Sequence, residues 1–293
     1  MNYTINVHGR LIDLGTPQVM GILNVTPDSF YAGSRRQTEA EIAARAMQIV
    51  AQGGTMIDIG AFSTRPGAAQ VTQEEEMERL RRSLTVVRQV LPDAVLSVDT
   101  FRPDVARMAV EEFGVGIIND VSEGNVNGAF GGTDAGTTLR NGTEDVSGAD
   151  GVPEMFRMVA RLGVPYVLMS LKPAVGDMLM GFAREVQQLR DLGAKDIILD
   201  PGFGFGKTLR QNYSLMAQLD RLTEMGLPLL VGASRKSMIF RLLDITPDEA
   251  LNGTTVINTM ALERGASILR VHDVREAVEA VRIYRMLHDS SSQ

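Results

Sequence analysis

Cysteine is absent from this sequence. That excludes disulfides and thiolate metal sites, and it leaves no redox compartment indicated. No apolar run approaches the ~20 residues that a membrane-spanning helix requires. The amino-terminal residues lack the basic-then-apolar order of a secretory leader, so the expectation is a cytoplasmic protein. Positive charge is not in excess either. The 29 Lys and Arg stand against 36 Asp and Glu, for a net charge of −7, which argues against general nucleic-acid binding. An anionic small molecule is still compatible, provided that basic residues converge locally. A complete nucleotide loop is missing too. The pattern of Gly, four residues, then Gly-Lys-Ser/Thr ends correctly at Gly206-Lys207-Thr208, but its first glycine would be residue 201, which is proline. The dinucleotide fingerprint fails because Lys207 stands three positions after Gly204. What is present is an ordinary globular composition, 44% hydrophobic and 22% charged over 293 residues, enough for one large α/β domain or two small ones.

The stretch 195–208, KDIILDPGFGFGKT, carries the most information. Ile197, Ile198 and Leu199 form a short apolar run with the composition of a strand buried on both faces. Asp200 ends the run and Pro201 prevents a helix from starting there. Gly202, Gly204 and Gly206 permit a tight turn, and Thr208 can cap a following helix. A carboxylate at the carboxyl end of a strand, beside a flexible loop, is where α/β proteins put their chemistry.

The same arrangement recurs. Residues 3–14 alternate around His8-Gly9 and read as a β-hairpin. Apolar runs follow at 19–23, 56–60, 94–99, 115–120, 165–169, 196–200, 228–232 and 267–271. Helical periodicity fills the intervals, at about 38–52, 73–91, 103–113, 153–162, 177–193, 208–225, 247–264 and 273–287. Capping boxes are expected at Thr38…Glu41, Thr72…Glu75 and Thr246…Glu249. Eight strand–helix pairs predict an α/β protein of the (β/α)8 TIM-barrel class, one domain over residues 1–293, with the hairpin closing its amino-terminal end. An open doubly wound sheet is the competing fold. Residues 121–152 break the rhythm with Gly, Asn, Thr, Ser and Asp, and read as a flexible surface insertion. Because it follows the fourth strand, a lid over the mouth is the alternative reading.

The strand ends define a candidate site. Asp99, Asn119 and Asp200 offer acceptors and an amide suited to a flat heterocycle with several N–H groups. Arg65, Arg235, Arg270 and His272 offer cationic donors suited to a phosphate or pyrophosphate. Asn24 can add an oxygen ligand to Mg2+, which usually accompanies a pyrophosphate. Singly, each of these residues also has a dull reading as a turn or surface residue.

These segments resemble the dihydropteroate synthase family over nearly the whole chain. The matching stretches are MGILNVTPDSF (20–30), IDIGAFSTRPGA (57–68), LSVDTFRPDVA (96–106), GIINDVS (116–122), ILDPGFGFGKT (198–208), VGASRKSMI (231–239) and NGTTVINTMALERGASILRVHDV (252–274). The resemblance implies a (β/α)8 barrel that joins 6-hydroxymethyl-7,8-dihydropterin pyrophosphate to p-aminobenzoate in folate synthesis. It assigns Asp99, Asn119, Met169, Asp200, Phe205 and Lys236 to the pterin. It assigns Asn24, Arg65, Arg270 and His272 to pyrophosphate, with Asn24 on Mg2+, and Phe30, Thr64, Pro66 and Ser234 to the p-aminobenzoate position that sulfonamides also occupy. Asp99, Lys236 and Arg65 would carry the catalysis. Segments 25–36 and 62–72 would be mobile loops that complete the site, and a homodimer through the later helices is implied.

Two segments depart from the family pattern. Met169-Ser170-Leu171-Lys172-Pro173 stands where Met-His followed by a polar residue and glycine is usual, and the 121–152 insertion is longer and more polar than usual. A divergent pterin-binding paralogue without synthase activity is therefore one alternative. A pterin-dependent methyltransferase domain is another, although it would not need the STRPG and SRKS segments.

Overall fold

The computed structural model describes residues 3–25, 35–61, 71–124 and 151–290. Strands β1 (Thr4–Val7) and β2 (Arg10–Asp13) form the expected antiparallel hairpin. Its turn residues His8 and Gly9 both have positive φ, 50° and 83°, as the twist of a two-residue hairpin loop requires. Eight parallel strands follow: β3 (Gln18–Asn24), β4 (Met56–Gly60), β5 (Val95–Asp99), β6 (Ile117–Asp120), β7 (Tyr166–Met169), β8 (Ile197–Asp200), β9 (Leu229–Val231) and β10 (Ala266–Val271). They close into a barrel in the order β10-β3-β4-β5-β6-β7-β8-β9. The closed barrel excludes the open-sheet alternative.

Strand alternation then sorts every side chain. Ile57, Ile59, Leu96, Val98, Leu168 and Leu199 belong to the core shared with the surrounding helices. Their neighbours Met20, Met56, Val95, Ile117, Val167 and Ile198 form a second core that also contains Leu230, Ile268 and the hairpin residues Ile5, Val7 and Leu14. The hairpin thus plugs the amino-terminal end, as the sequence predicted. The fit is tight: a Cβ on Gly116 would lie 2.3 Å from Val7 Cγ1. One step of two residues further along each strand reaches Ile22, Asp58, Ser97, Asn119, Met169, Asp200, Gly232 and Arg270. The barrel interior therefore turns from hydrocarbon to polar within a single layer.

The helices are α1 (Arg35–Ala51), α2 (Gln73–Val90), α3 (Pro103–Phe113), α4 (Glu154–Leu162), α5 (Val175–Asp191), α6 (Leu209–Ala217), α7 (Ser237–Leu243), α8 (Leu251–Glu263) and α9 (Val274–Ser290). Thr72 and Thr208 close full capping boxes on α2 and α6, each satisfying two otherwise orphan amides. Other helix expectations are corrected. Thr38 lies inside α1, which begins at Arg35. The span 208–225 is broken at Gln218 into α6 and a 3-10 segment, Leu219–Met225. Thr246 and Glu249 do bond, with the Thr246 amide 2.9 Å from the Glu249 carboxylate, but in a turn that precedes α8. The short helix α7 was not expected. No helix among the described residues is long and apolar enough to cross a membrane.

Candidate active site

The polar layer is bound together by one guanidinium. Arg270 donates from Nε to Asp58 Oδ2 at 2.6 Å and from Nη2 to Asp99 Oδ2 at 2.8 Å. Asn119 Nδ2 donates to the same Asp58 oxygen at 3.1 Å, which fixes the amide orientation and points its oxygen elsewhere. Asp58 Oδ1 and Asn119 Oδ1 are buried and have no partner among the described residues. Burial pushes the Asp99 carboxyl up to about 7; Arg270 opposes this and the nearby Asp58 adds to it. Arg270 is held charged, because its two carboxylates outweigh the cost of burying it.

Asp200 closes the other side. It is 6% exposed, and its Oδ1 accepts the Gly202 amide at 2.7 Å. Burial raises its pKa; Lys236 opposes the shift. Lys236 donates from Nζ to Phe203 O and lies over the Phe205 ring, 4.4 Å from its centroid. Gly204 (φ 81°) makes room for this, since a Cβ there would stand 2.9 Å from Lys236 Cδ. Burial brings the Lys236 ammonium down to about 8, against the pull of Asp200, so it is mainly charged at neutral pH. Met169 pairs with Asp200 in the sheet register and is fully buried.

The rim carries the remaining donors. Asn24, Gly60, Asp99 and Asn119 are successive register partners across β3 to β6. A Cβ placed on Gly60 would be 3.5 Å from Asn24 Oδ1 and 3.9 Å from Asp99 Oδ2. Glycine thus leaves open a space that both oxygens border. Beside it lies a cavity of about 400 Å³ whose polar lining is Asn24, Thr38, Glu41, Arg45 and His272 and whose apolar lining is Ile22, Leu23, Val25 and Ile42. Ser234 Oγ meets both the His272 amide and its Nδ1 at 3.2 Å, and Arg45 Nη2 holds the His272 carbonyl at 2.6 Å. Burial, reinforced by the Arg270 charge, pushes the His272 imidazole down to about 4. It is neutral at pH 7, and an anion bound beside it would reverse part of that field.

No group of three or more His, Asp or Glu able to hold a metal occurs among the described residues. Asn24 fits a different donor set, one neutral oxygen completed by substrate oxygens and water, which suits Mg2+.

A family model described as pterin binding enzyme matches residues 20–272. The dihydropteroate synthase of Escherichia coli (strain K12) is 38% identical over 290 residues, covering 94% of this chain and 93% of that protein. The solved structure of Xanthomonas albilineans dihydropteroate synthase with 4-aminobenzoic acid has a TM-score of 0.81 at 35% identity, covering 98% of this chain and 99% of that one. The Yersinia pestis dihydropteroate synthase in complex with a sulfonamide drug also has a TM-score of 0.81, at 34% identity, covering 98% and 100% of the two chains.

This chain belongs to the pterin-binding enzyme family. Within this pterin-binding enzyme, the structure brings Asp99, Asn119, Met169, Asp200, Phe205, Lys236 and Arg270 together at the barrel mouth, with Asn24, Ser234 and His272 at its rim. Phe30, Thr64, Arg65 and Pro66 lie outside the described residues, as do most of the two loops expected at 25–36 and 62–72 and of the 121–152 insertion. Arg235 is corrected: its guanidinium is committed to Asp273 at 2.8 Å and to the Pro247 and Asp248 carbonyls. Arg270, expected on pyrophosphate alone, is bonded into the carboxylate layer.

Asp58 was missed. It is not at a strand end, but it stands two residues after the inward Met56, so alternation marks it as an inward carboxylate. Arg45 was missed because it lies on a helix, and nothing local in the sequence ties it to His272.

The His272 shift gives a stability prediction. The unfolded imidazole takes up a proton below pH ~6.5, whereas the folded one resists until about 4. Stability is therefore fully present above pH ~6.5 and lost as pH falls toward 4. His272→Gln should flatten the urea-derived stability profile in this window by roughly 1–3 kcal/mol. Parallel profiles for the two proteins would show that the imidazole is solvated in the native state.

Proposed function

We propose that this chain is a dihydropteroate synthase, a transferase that condenses 6-hydroxymethyl-7,8-dihydropterin pyrophosphate with p-aminobenzoate to give 7,8-dihydropteroate and pyrophosphate. The observation that carries the reading is the layer of buried Asp58, Asn119 and Asp200 with the half-buried Asp99, beside two cations, Lys236 and Arg270. A pterin has a donor-rich edge that needs several acceptors, and a ring oxygen and nitrogen that need a donor. Asp200, Asn119 and Asp99 accept from its N–H groups, Lys236 donates to its carbonyl and ring-nitrogen edge, and Met169 and Phe205 flank the ring. We assign Asn24, Arg65, Arg270 and His272 to the pyrophosphate. Phe30, Thr64, Pro66 and Ser234 are assigned to p-aminobenzoate, whose position is also the one a sulfonamide would compete for. Residues 1–293 then form one pterin-binding domain, working in the cytoplasm.

Charge development explains these residue types. The arylamine nitrogen bonds to the pterin methylene as the carbon–oxygen bond to pyrophosphate breaks, and the amine then gives up a proton. Positive charge grows on the pterin methylene, where the half-buried Asp99 carboxylate stabilises it. Negative charge grows on pyrophosphate, where Arg65 and Arg270 receive it. Such fixed charges in a site shielded from water need no reorganisation at the moment of reaction. Asn24 would hold Mg2+ through its side-chain oxygen, and the ion would supply further charge neutralisation for the leaving group. No strong general base is required, because an arylamine is already largely neutral at pH 7.

The test is release of pyrophosphate from the pterin substrate, dependent on p-aminobenzoate. Asp200→Asn keeps the Gly202 contact but loses a charged partner for the pterin. Its free-pterin affinity should fall by roughly 1.5–3 kcal/mol, about ten- to a hundredfold, with pyrophosphate affinity nearly unchanged. Equal weakening of both ligands would make Asp200 a residue of the fold. A pterin-binding chain that releases no pyrophosphate would be the non-catalytic paralogue.

We also propose a homodimer through α8 and α9. Val256 and Met260 of α8 are 45% and 43% exposed, and Ile283 and Met286 of α9 are 72% and 71% exposed. Ile257 and Ala261, their neighbours on α8, are buried against the barrel, so α8 is apolar on both sides. Sedimentation at micromolar concentration should give a dimer that Met260→Glu splits. Monomer alone in the unmodified chain would reject this.

A further inference from the structure

The walls of the pterin site are held from behind by a turn that follows β6. Asp120, at the end of β6, is fully buried and accepts from the Tyr166 hydroxyl at 2.6 Å, the Ser122 hydroxyl at 2.6 Å, the Ser122 amide at 2.7 Å and the Gly124 amide at 2.9 Å. The three bonds from Ser122 and Gly124 wind residues 120–124 into a tight turn, anchored to β7 by Tyr166, in which Glu123 takes a left-handed φ of 58°, a conformation that a residue of this kind seldom adopts without support. The turn delivers the Glu123 carboxylate to the exit of β7. There one oxygen, Oε1, accepts from Ser170 Oγ at 2.7 Å, the Leu171 amide at 2.8 Å and Lys172 Nζ at 3.0 Å.

Ser170 passes the constraint on. Its amide donates to the Asp200 carbonyl at 2.9 Å, and its carbonyl accepts Lys207 Nζ at 3.0 Å. The same ammonium reaches the carbonyls of Gly202 at 3.0 Å and Phe205 at 3.4 Å. Met169 directly precedes Ser170, Asp200 bonds the Gly202 amide, and Phe205 is the ring beneath Lys236. The exits of β6, β7 and β8 are thus fastened to one another through Glu123, Ser170 and Lys207.

We propose that Glu123 is a positioning residue for pterin recognition: by holding Ser170 and Leu171 it fixes Met169, Asp200 and Phe205 in the geometry that receives the ring. The inference rests on the synthase reading above and deepens it. Wall residues that are already ordered do not have to be ordered by the ligand, so the effect belongs in pterin affinity and not in the chemical step. Glu123 acts through these groups: its Oε1 accepts from three donors at the β7 exit.

The experiment compares Glu123→Ala, Glu123→Gln and Ser170→Ala with the unmodified chain. It measures free-pterin affinity by calorimetry, KM for each substrate, kcat and melting temperature. Glu123→Ala should raise the free-pterin Kd and the KM for the pterin substrate about tenfold, with kcat and the KM for p-aminobenzoate within about twofold. Glu123→Gln, which keeps an oxygen for Ser170 and Leu171, should recover most of that loss. Ser170→Ala should act in the same direction, and combining it with Glu123→Ala should add little, because both remove one contact. If Glu123→Ala fails to fold, the Gln and Ser170 variants carry the comparison. Unchanged pterin affinity in these variants overturns the proposal, as does a uniform fall of kcat, both KM responses and melting temperature, which would mark a merely structural role. An unmodified chain that binds no pterin overturns the synthase reading itself, and this inference with it.

Discussion

Two carboxylates, Asp58 and Asp99, stand in a barrel interior whose lower layer is hydrocarbon, and a single guanidinium answers both. Leaving either charge buried and unpaired would cost several kcal/mol, so the fold depends on Arg270 reaching them across the closed mouth. It reaches them because β10 returns to pair with β3, which places its inward side chains next to those of β4 and β5. A register slip of one residue in any of these strands would turn the side chain to the helix side. The same layer leaves Asp58 Oδ1 and Asn119 Oδ1 without donors among the described residues. A buried acceptor left unmatched is costly in isolation, and a heterocycle rich in N–H groups is the ligand that makes such a layer useful.

The mouth therefore has two parts with different physics. On the side of β6, β7 and β8, carbonyls and carboxylates are tied by Lys207, Lys236 and Glu123, and the walls stand in place. On the side of β3 and β10, Asn24, Arg45 and His272 line the cavity, and Ser234 bonds His272. A neutral, aromatic ring suits the first part. An anion suits the second, where the imidazole is kept neutral by burial, reinforced by the nearby cation, and can respond when negative charge arrives. Arg270 belongs to both, which couples recognition of the ring to recognition of its leaving group.

Much of this was legible from the residues. Short aliphatic runs located all eight barrel strands within about two residues, because strands buried on both faces must be apolar outward and at their amino ends. Thr72 and Thr208 marked helix starts because a capping hydroxyl works locally. The misses were of another kind. Asp58 escaped because attention to strand ends ignores the alternation that makes a mid-strand carboxylate face inward. The helix Ser237–Leu243 is too short to set up a periodic pattern, and the break at Gln218 depends on how Leu219 and Leu222 bury against the barrel. Arg235 and Arg270 look alike in sequence, yet Asp273 claims one and Asp58 with Asp99 claim the other. The left-handed Glu123 shows no glycine or asparagine to signal it, since its conformation is supported by the Ser122 and Gly124 donors on Asp120.

The central claim is that Arg270 serves the ring and the anion together, through Asp58 and Asp99. Arg270→Lys keeps the charge but cannot span two carboxylates as the planar fork does. Calorimetric titration of this variant with free pterin and, separately, with pyrophosphate tests the claim most directly. The account predicts that both affinities fall, each by about tenfold or more, since a charged hydrogen bond is worth roughly 1.5–3 kcal/mol. Weaker pyrophosphate binding with unchanged free-pterin affinity would contradict it, and would return Arg270 to the anion site alone.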